Sequence, residues 1–198
     1  MRKFLAVVAF LACGHAWADG GSIPESGIEQ QTVTVRVGHA TLPVTFLPAV
    51  RGDATLDQDA FAQQVGRGLR DHSADTGTEA CAMLCRAPSG AWGALPLTIG
   101  AHTACPVAKV CPQGMTSTGV GIHSHPTADT YVANDADVAL LGQEKHLRRR
   151  VGQSVRGGNP EQFSAEDFAG GEGYMVSGTT LYHQAGRRAV RNLGPLDL

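Results

Sequence analysis

Gly119-Val120-Gly121-Ile122-His123-Ser124-His125-Pro126 is the stretch on which the reading of this chain turns. Gly119 to His125 reads as a strand, and Pro126 stops it because proline cannot donate to a sheet ladder. Side chains two apart on a strand share a face, so His123 and His125 project together. Two neutral imidazoles on one face supply half of a tetrahedral zinc shell. A pair of ordinary half-exposed histidines gives the same pattern, so the motif acquires meaning only from partners elsewhere in the chain.

Two segments offer partners. Downstream, Phe163-Ser164-Ala165-Glu166-Asp167-Phe168 carries Ser-x-x-Asp, a helix N-terminus signature in which Ser164 caps and Asp167 answers. That local role does not exclude another, since a carboxylate in the first turn of a helix can be aimed at a metal by the same helix. Upstream, Glu79 precedes the strand-like run Ala80-Cys81-Ala82-Met83-Leu84-Cys85. A lone Glu at a strand start is by default a surface carboxylate.

The rest of the chain supplies elements around these segments. Thr32 to Val37 alternates Thr or Arg with Val, the period of a half-buried strand, and a turn at Gly38-His39-Ala40 leads to Leu42–Leu47. Thr55-Leu56-Asp57-Gln58 reads as a capping box opening a helix. Leu56, Ala60, Phe61, Val65 and Leu69 form its apolar stripe, and it should fray near Asp71. A buried strand over Glu79–Cys85 and a neighbour over Trp92–Ile99 flank a turn at Pro88-Ser89-Gly90. Asp135 to Val151 has helical periodicity, and Gly157-Gly158-Asn159-Pro160 breaks it. Ser164 opens a short helix, and Tyr174–Tyr182 looks like a hairpin turning at Ser177-Gly178.

The beginning of the chain reads as an address. Arg2 and Lys3, the apolar run Phe4–Ala12 and the small-x-small site Ala16-Trp17-Ala18 predict a signal peptide over 1–18. The run is far short of the roughly 20 residues that span a bilayer, and no transmembrane segment follows. Cys13, in Phe10-Leu11-Ala12-Cys13, offers a lipoprotein alternative, weakened by Phe where such signals carry Leu. Removing the leader takes away two cations and no acid, so the formal charge moves from −2 to −4. That balance, with only Arg148-Arg149-Arg150 as a basic cluster on a solvated helix face, gives no hint of nucleic acid as a partner.

Without Cys13, Cys81, Cys85, Cys105 and Cys111 remain, an even number suited to two disulfides in a periplasmic or secreted protein. On a strand Cys81 and Cys85 stand roughly 13 Å apart, too far to bridge each other. Each therefore pairs with one of Cys105 and Cys111, or those two pair together and leave an upstream thiol free. Phosphate loops, nucleophile elbows and a Cys-His protease context are all missing from the sequence.

In this order, Glu79, His123-Ser124-His125-Pro126 and Ser164-Ala165-Glu166-Asp167 resemble the JAMM (MPN, JAB-like) zinc metallopeptidase family, and within it the small bacterial exported JAB-like domains. The Gly173–Ser177 stretch after the Asp agrees with the family pattern. The resemblance implies an α/β fold, a mixed β-sheet flanked by helices with a JAMM/cytidine-deaminase-like core. It places a strand or hairpin extension over 19–54 and the metallopeptidase domain over 55–198. The chain departs from the family in one respect: 37 residues, Thr127 to Phe163, separate Pro126 from Ser164, where the family keeps them close. A helical insertion over about 127–163 accounts for this and could act as a lid or contact a partner. Asp129, Asp135 and Asp137 inside it are alternative acidic ligands.

The resemblance further implies Zn2+ held by His123, His125 and Asp167, with hydrolysis of a peptide or isopeptide bond by a zinc-activated water. Glu79 would be general base and then acid, and the Ser164 hydroxyl would donate to the developing oxyanion. Two other functions fit the same motif: a non-catalytic JAB-like interaction module, and a zinc amidase acting on cell-wall peptide. His102 and His183 stand beside strands as possible supporting contacts, and His39, His72 and His146 read as solvent-facing.

Overall fold

A computed structural model describes residues 9–10, 22–23, 32–37, 40–141, 150–186 and 189–196. The expected leader lies outside the described residues apart from Ala9–Phe10, as do His39, His146 and most of the Arg148–Arg150 cluster.

Helix α1, Gln58–Thr76, starts two residues later than the Thr55 box suggests. Asp57 is its N-cap, accepting from the Ala60 N–H at 2.7 Å, while the Thr55 N–H is taken by the Asp53 carboxylate at 2.8 Å. The helix also runs past Asp71 to a left-handed Gly77 (φ 70°), whose N–H closes on the Ser73 carbonyl at 2.9 Å. The polar sequence there looks ready to fray, but Ser73 is buried, with its Oγ 2.6 Å from Ser124 Oγ and donating to the Thr78 carbonyl at 2.8 Å. A tertiary contact overrides local propensity.

The principal sheet is mixed and mostly antiparallel. Its strands run in the order Thr32–Val37, Ala40–Phe46, Leu97–Thr98, Cys81–Arg86, Thr116–His125, Gly173–Ser177, Thr180–Gln184, Val190–Pro195. Ala9–Phe10 lies parallel to Thr32–Val37 at one edge. The expected Trp92–Ile99 strand is two pieces, Trp92–Ala94 and Leu97–Thr98, because Pro96 cannot donate to a ladder. Thr116–His125 and Gly173–Ser177 are parallel, which requires a crossover of a dozen or more residues. Residues 126–172 supply it.

Register assigns the two faces. Ile122 pairs with Ala82 and His123 with Cys81. Ala80, Ala82, Leu84, Val120, Ile122, Tyr174 and Val176 therefore face α1 and form one core with Phe61, Val65 and Leu69. Each of these three helix side chains is fully buried, worth about 1.5–3 kcal/mol apiece. Cys81, Met83 and Cys85 look the other way, onto the loop that follows Thr98. There Cys81 bonds Cys105 and Cys85 bonds Cys111, with Cα–Cα separations of 5.8 Å in both. Two disulfides fit an extracellular or periplasmic location. No helix among the described residues is long and apolar enough to cross a membrane.

Among the described residues of the crossover, helix α2 covers Asp135–Leu141, and Val151, the end of the expected helix, stands in a turn; residues 142–149 lie outside the described set. Thr130–Val132 pairs antiparallel with Ser154–Arg156, burying Val155 and Ala133 in a small core of their own. The β-branched residues at 130, 132 and 155 favour this ribbon. Helix α3, Ala165–Gly170, then returns the chain to the sheet.

Candidate metal centre

The strand Thr116–His125 does what its alternation predicts. His123 and His125 point to the face opposite α1, with ring centroids 4.8 Å apart and Nε2 atoms 3.0 Å apart. Continuing the antiparallel register by two residues puts Glu79 directly across from His125. Its Oε1 lies 3.8 Å from His125 Nε2, and the residue is only 5 % exposed. Its backbone is fixed on both sides, the N–H on the Ala101 carbonyl at 2.8 Å and the C=O on Thr98 Oγ1 at 2.7 Å.

Asp167 arrives from the crossover. Ser164 caps α3 through a capping box: its Oγ accepts from the Asp167 N–H at 3.2 Å, and its own N–H donates to Asp167 Oδ2 at 2.7 Å. The Ser164 hydroxyl also donates to Oδ2, at 2.7 Å. With Oδ2 held twice, by the Ser164 N–H and the Ser164 hydroxyl, Oδ1 is turned to the histidines and lies 3.5 Å from His123 Nε2. One donor atom from each of His123, His125 and Asp167 falls within 4.8 Å of the others. The structure thus brings together all three expected ligands, with Glu79 beside them and Ser164 behind Asp167.

Protonation of the cluster suits a cation. The Pro160 carbonyl lies 2.9 Å from His125 Nδ1 and can only accept, so Nδ1 carries the proton and Nε2 presents a bare lone pair. An outer hydrogen bond of this kind fixes the tautomer and orientation of a metal-binding imidazole. Burial pulls the His123 imidazole down to about 4, with His125 adding to the shift and Asp167 opposing it. His125 is lowered too, by burial, against the Pro160 contact and Asp167. Both rings are therefore neutral near pH 7, the form that ligates. Donors around a tetrahedral zinc at about 2.0–2.1 Å stand roughly 3.3 Å apart; two of the three separations here, 3.0 and 3.5 Å, are close to that, and all three lie within 4.8 Å. Glu79 behaves in the opposite sense: burial first, then Asp167 and Asp137, hold its carboxyl well above the usual range.

The alternative acids are elsewhere. Asp137 is fully buried, with Oδ1 accepting from the His102 N–H at 2.7 Å and Oδ2 accepting from the Asn134 N–H at 2.9 Å. Its Oδ2 also lies 2.8 Å from His102 Nδ1. This knot ties α2 to the disulfide-held loop, and Asp129 and Asp135 do not join the cluster either. His183 pairs with Glu172 at 3.0 Å, not with the centre, and His72 is half-buried against Thr78 at 3.1 Å. The contact that the sequence could not reveal is Pro160, because a backbone carbonyl has no side-chain signature.

A cleft of about 190 Å³ opens beside the cluster, lined by His123 and Asp167 with Met83, Val107, Phe163 and Glu166. Gly121 and Gly173, register partners, leave its floor without side chains. A Cβ at Gly121 would stand 3.1 Å from Val107 Cγ1, and one at Gly173 3.2 Å from the Gly121 carbonyl. No protein-family model, curated protein or solved structure matches this chain.

Proposed function

We propose that this chain is an exported zinc-dependent hydrolase of JAMM-like architecture that cuts a peptide or isopeptide bond. The observation that carries the reading is the convergence of His123, His125 and Asp167 on one point, with the buried Glu79 carboxylate 3.8 Å from His125 Nε2. Three of these residues come from two paired strand ends and the fourth from a capped helix.

His123, His125 and Asp167 would hold the ion, through two neutral imidazoles and one carboxylate oxygen. When bound, zinc would supply Lewis-acid polarisation and the acidification of water. Glu79 is placed to take a proton on Oε1 and return it to a leaving amine. A carboxyl held above its ordinary range is matched to that exchange near neutral pH. Ser164 departs from the role that the resemblance implies. Its hydroxyl is committed to Asp167 Oδ2 at 2.7 Å, so this reading makes it a positioning residue for the ligand. The glycine-floored cleft accepts an extended chain lying flat over the strands, close to His123.

The test uses protein purified from an oxidising compartment. It should contain about one zinc per chain, and Glu79→Gln should keep that zinc while losing hydrolysis of a peptide panel. Protein that takes up no zinc with all three ligands intact would sink the proposal. Cleavage of peptidoglycan fragments but of no peptide in the panel would move the substrate to cell-wall amides.

A further inference from the structure

The cleft beside the metal cluster is built on one row of the sheet. Register sets Met83, Gly121, Gly173 and Gln184 side by side on four adjacent strands. Gly121 is two residues from His123 along its strand, so the row shares the face that carries that ligand. Two neighbouring glycines leave bare backbone where paired side chains would otherwise stand. The two halves of this gap differ. Over Gly121, Val107 fills the place of a side chain, since a Cβ there would lie 3.1 Å from Val107 Cγ1. Over Gly173 the nearest side-chain atom to such a Cβ is Gln184 Nε2, at 3.8 Å. Val107 is held where it is, because it lies between Cys105 and Cys111, which bond to Cys81 and Cys85 of the sheet. Across the gap the Phe163 ring stands edge-on to His123, with centroids 6.1 Å apart.

Volume and lining decide what enters. Sites for whole small molecules run to about 300–1,000 Å³, whereas an apolar cavity of about 150 Å³ already holds benzene. The cleft, at about 190 Å³, therefore suits one large side chain and not a whole ligand. Met83, Val107 and Phe163 give it apolar walls, and a thioether and a ring favour an aromatic guest. The flat floor at Gly173 leaves room for a planar ring to lie on the strand backbone. Carboxylates are less decisive. Glu166 is exposed on α3, where solvent screens it, and Glu172 Oε1 already accepts from Gln58 Nε2 at 2.8 Å and lies 3.0 Å from His183 Nε2. Together with Asp167 they still disfavour an acidic guest.

We propose that the space over Gly173 is the subsite that selects the substrate, taking an uncharged aromatic side chain of the residue next to the scissile bond, with Val107 setting its width. The inference deepens the hydrolase reading and rests on it for the position of that bond.

The test is binding, which needs no turnover. Capped pentapeptides, glycine throughout except for a central Phe, Trp, Leu, Lys, Asp or Ala, are titrated calorimetrically into the full Glu79→Gln chain with and without zinc. The Phe peptide should bind about tenfold more tightly than the Ala, Lys and Asp peptides, with Leu between them. Adding Val107→Phe should narrow the gap and cost the Phe peptide about tenfold, whereas Val107→Ala should widen it and improve binding of the Trp peptide. Equal binding of the Phe and Ala peptides, tighter binding of the Lys peptide, or no binding of any peptide at tens of millimolar would overturn the subsite. So would unchanged Phe binding in a folded Val107→Phe protein, or an unchanged order of Phe and Trp in Val107→Ala. The two ideas fail separately. Selective binding of the Phe peptide by a chain that takes up no zinc would sink the hydrolase reading while supporting the aromatic subsite. Cleavage by the zinc-bound wild-type chain without regard to the flanking residue would sink the subsite alone.

Discussion

Replacing Ser164 by Ala tests how the third ligand is held. Ser164 makes three bonds to Asp167, and the substitution removes two: the Oγ that accepts from the Asp167 N–H and the hydroxyl that donates to Oδ2 at 2.7 Å. Helix α3 has six residues and buries none of them, so its own packing cannot compensate. Loss of a Ser cap costs about 1 kcal/mol, here concentrated on the turn that aims Asp167. Removing an outer partner of a metal ligand typically weakens metal binding by about 10- to 100-fold, or about 1.4–2.7 kcal/mol. Gln184 Nε2 still holds the Asp167 and Gly171 carbonyls, so α3 should stay on the sheet and the loss should appear as misdirection of Oδ1. Competition against a chromophoric chelator measures it. Ser164→Thr, which restores the hydroxyl, should recover most of the affinity. Zinc binding at wild-type strength in Ser164→Ala, with turnover alone lost, would refute the positioning role and return Ser164 to the oxyanion.

Three further outcomes are expected. In metal-free protein the His123 imidazole, held near 4 against about 6.5 when unfolded, contributes stability that is intact above about pH 6.5 and lost as pH falls towards 4. The raised Glu79 carboxyl works the other way, its contribution being full below about 4.5 and lost as pH rises. Urea titrations between pH 6.5 and 4.5 should therefore show stability falling more steeply with acid in metal-free Glu79→Gln than in metal-free wild type. Equal slopes would mean the two groups do not titrate in opposition. The disulfides close sequence separations of 24 and 26 residues, each worth about 3.5 kcal/mol by chain entropy. Since Cys81 is the register partner of His123, Cys81→Ser with Cys105→Ser should weaken zinc binding more than the Cys85–Cys111 double change does, as chelator competition would show. Finally, the ribbon ends meet where the Gly157 N–H reaches the Asp129 carbonyl at 2.8 Å. Excising 130–156 across that contact should leave zinc affinity within a few-fold, provided the freed disulfide loop still folds by circular dichroism.

The strand, its two-histidine face and the α3 cap were legible because each is local: alternation gives the first two, and Ser-x-x-Asp gives the third. Glu79 was singled out only through the family resemblance, because a lone acid at a strand start carries no local signature. Its place opposite His125 follows from a register that no residue near Glu79 announces. The start of α1 was misread because Thr55 and Asp57 are both good caps, and Asp53 took the Thr55 N–H. The crossover was read as helical because the spacing of Val138 and Leu141 is helical. The apolar residues at 131, 133 and 155 find partners only when two segments more than twenty residues apart come together. Pairing of that kind leaves little trace in a local window.

The long connection between Pro126 and Ser164, which made Asp167 the least secure ligand in the sequence, does not separate the ligands in space. Closing a longer loop is cheap, about 0.6 kcal/mol per doubling of length, provided its ends are fixed. They are fixed here by the cluster itself, since the chain comes back to His125 at Pro160, whose carbonyl accepts from His125 Nδ1 at 2.9 Å. Four residues later Ser164 caps α3 and turns Asp167 inward. The insertion thus begins and ends on a residue of the His123–His125–Asp167 cluster, and Asp137 anchors it separately to the disulfide-held loop. The spacing from Pro160 to Asp167 is constrained at four points: Pro160 meets His125, Phe163 packs edge-on to His123, Ser164 bonds Asp167, and Asp167 reaches His123. The unit that must stay constant for this centre is therefore Asn159-Pro160 through Asp167, a longer run than Ser-x-x-Asp alone.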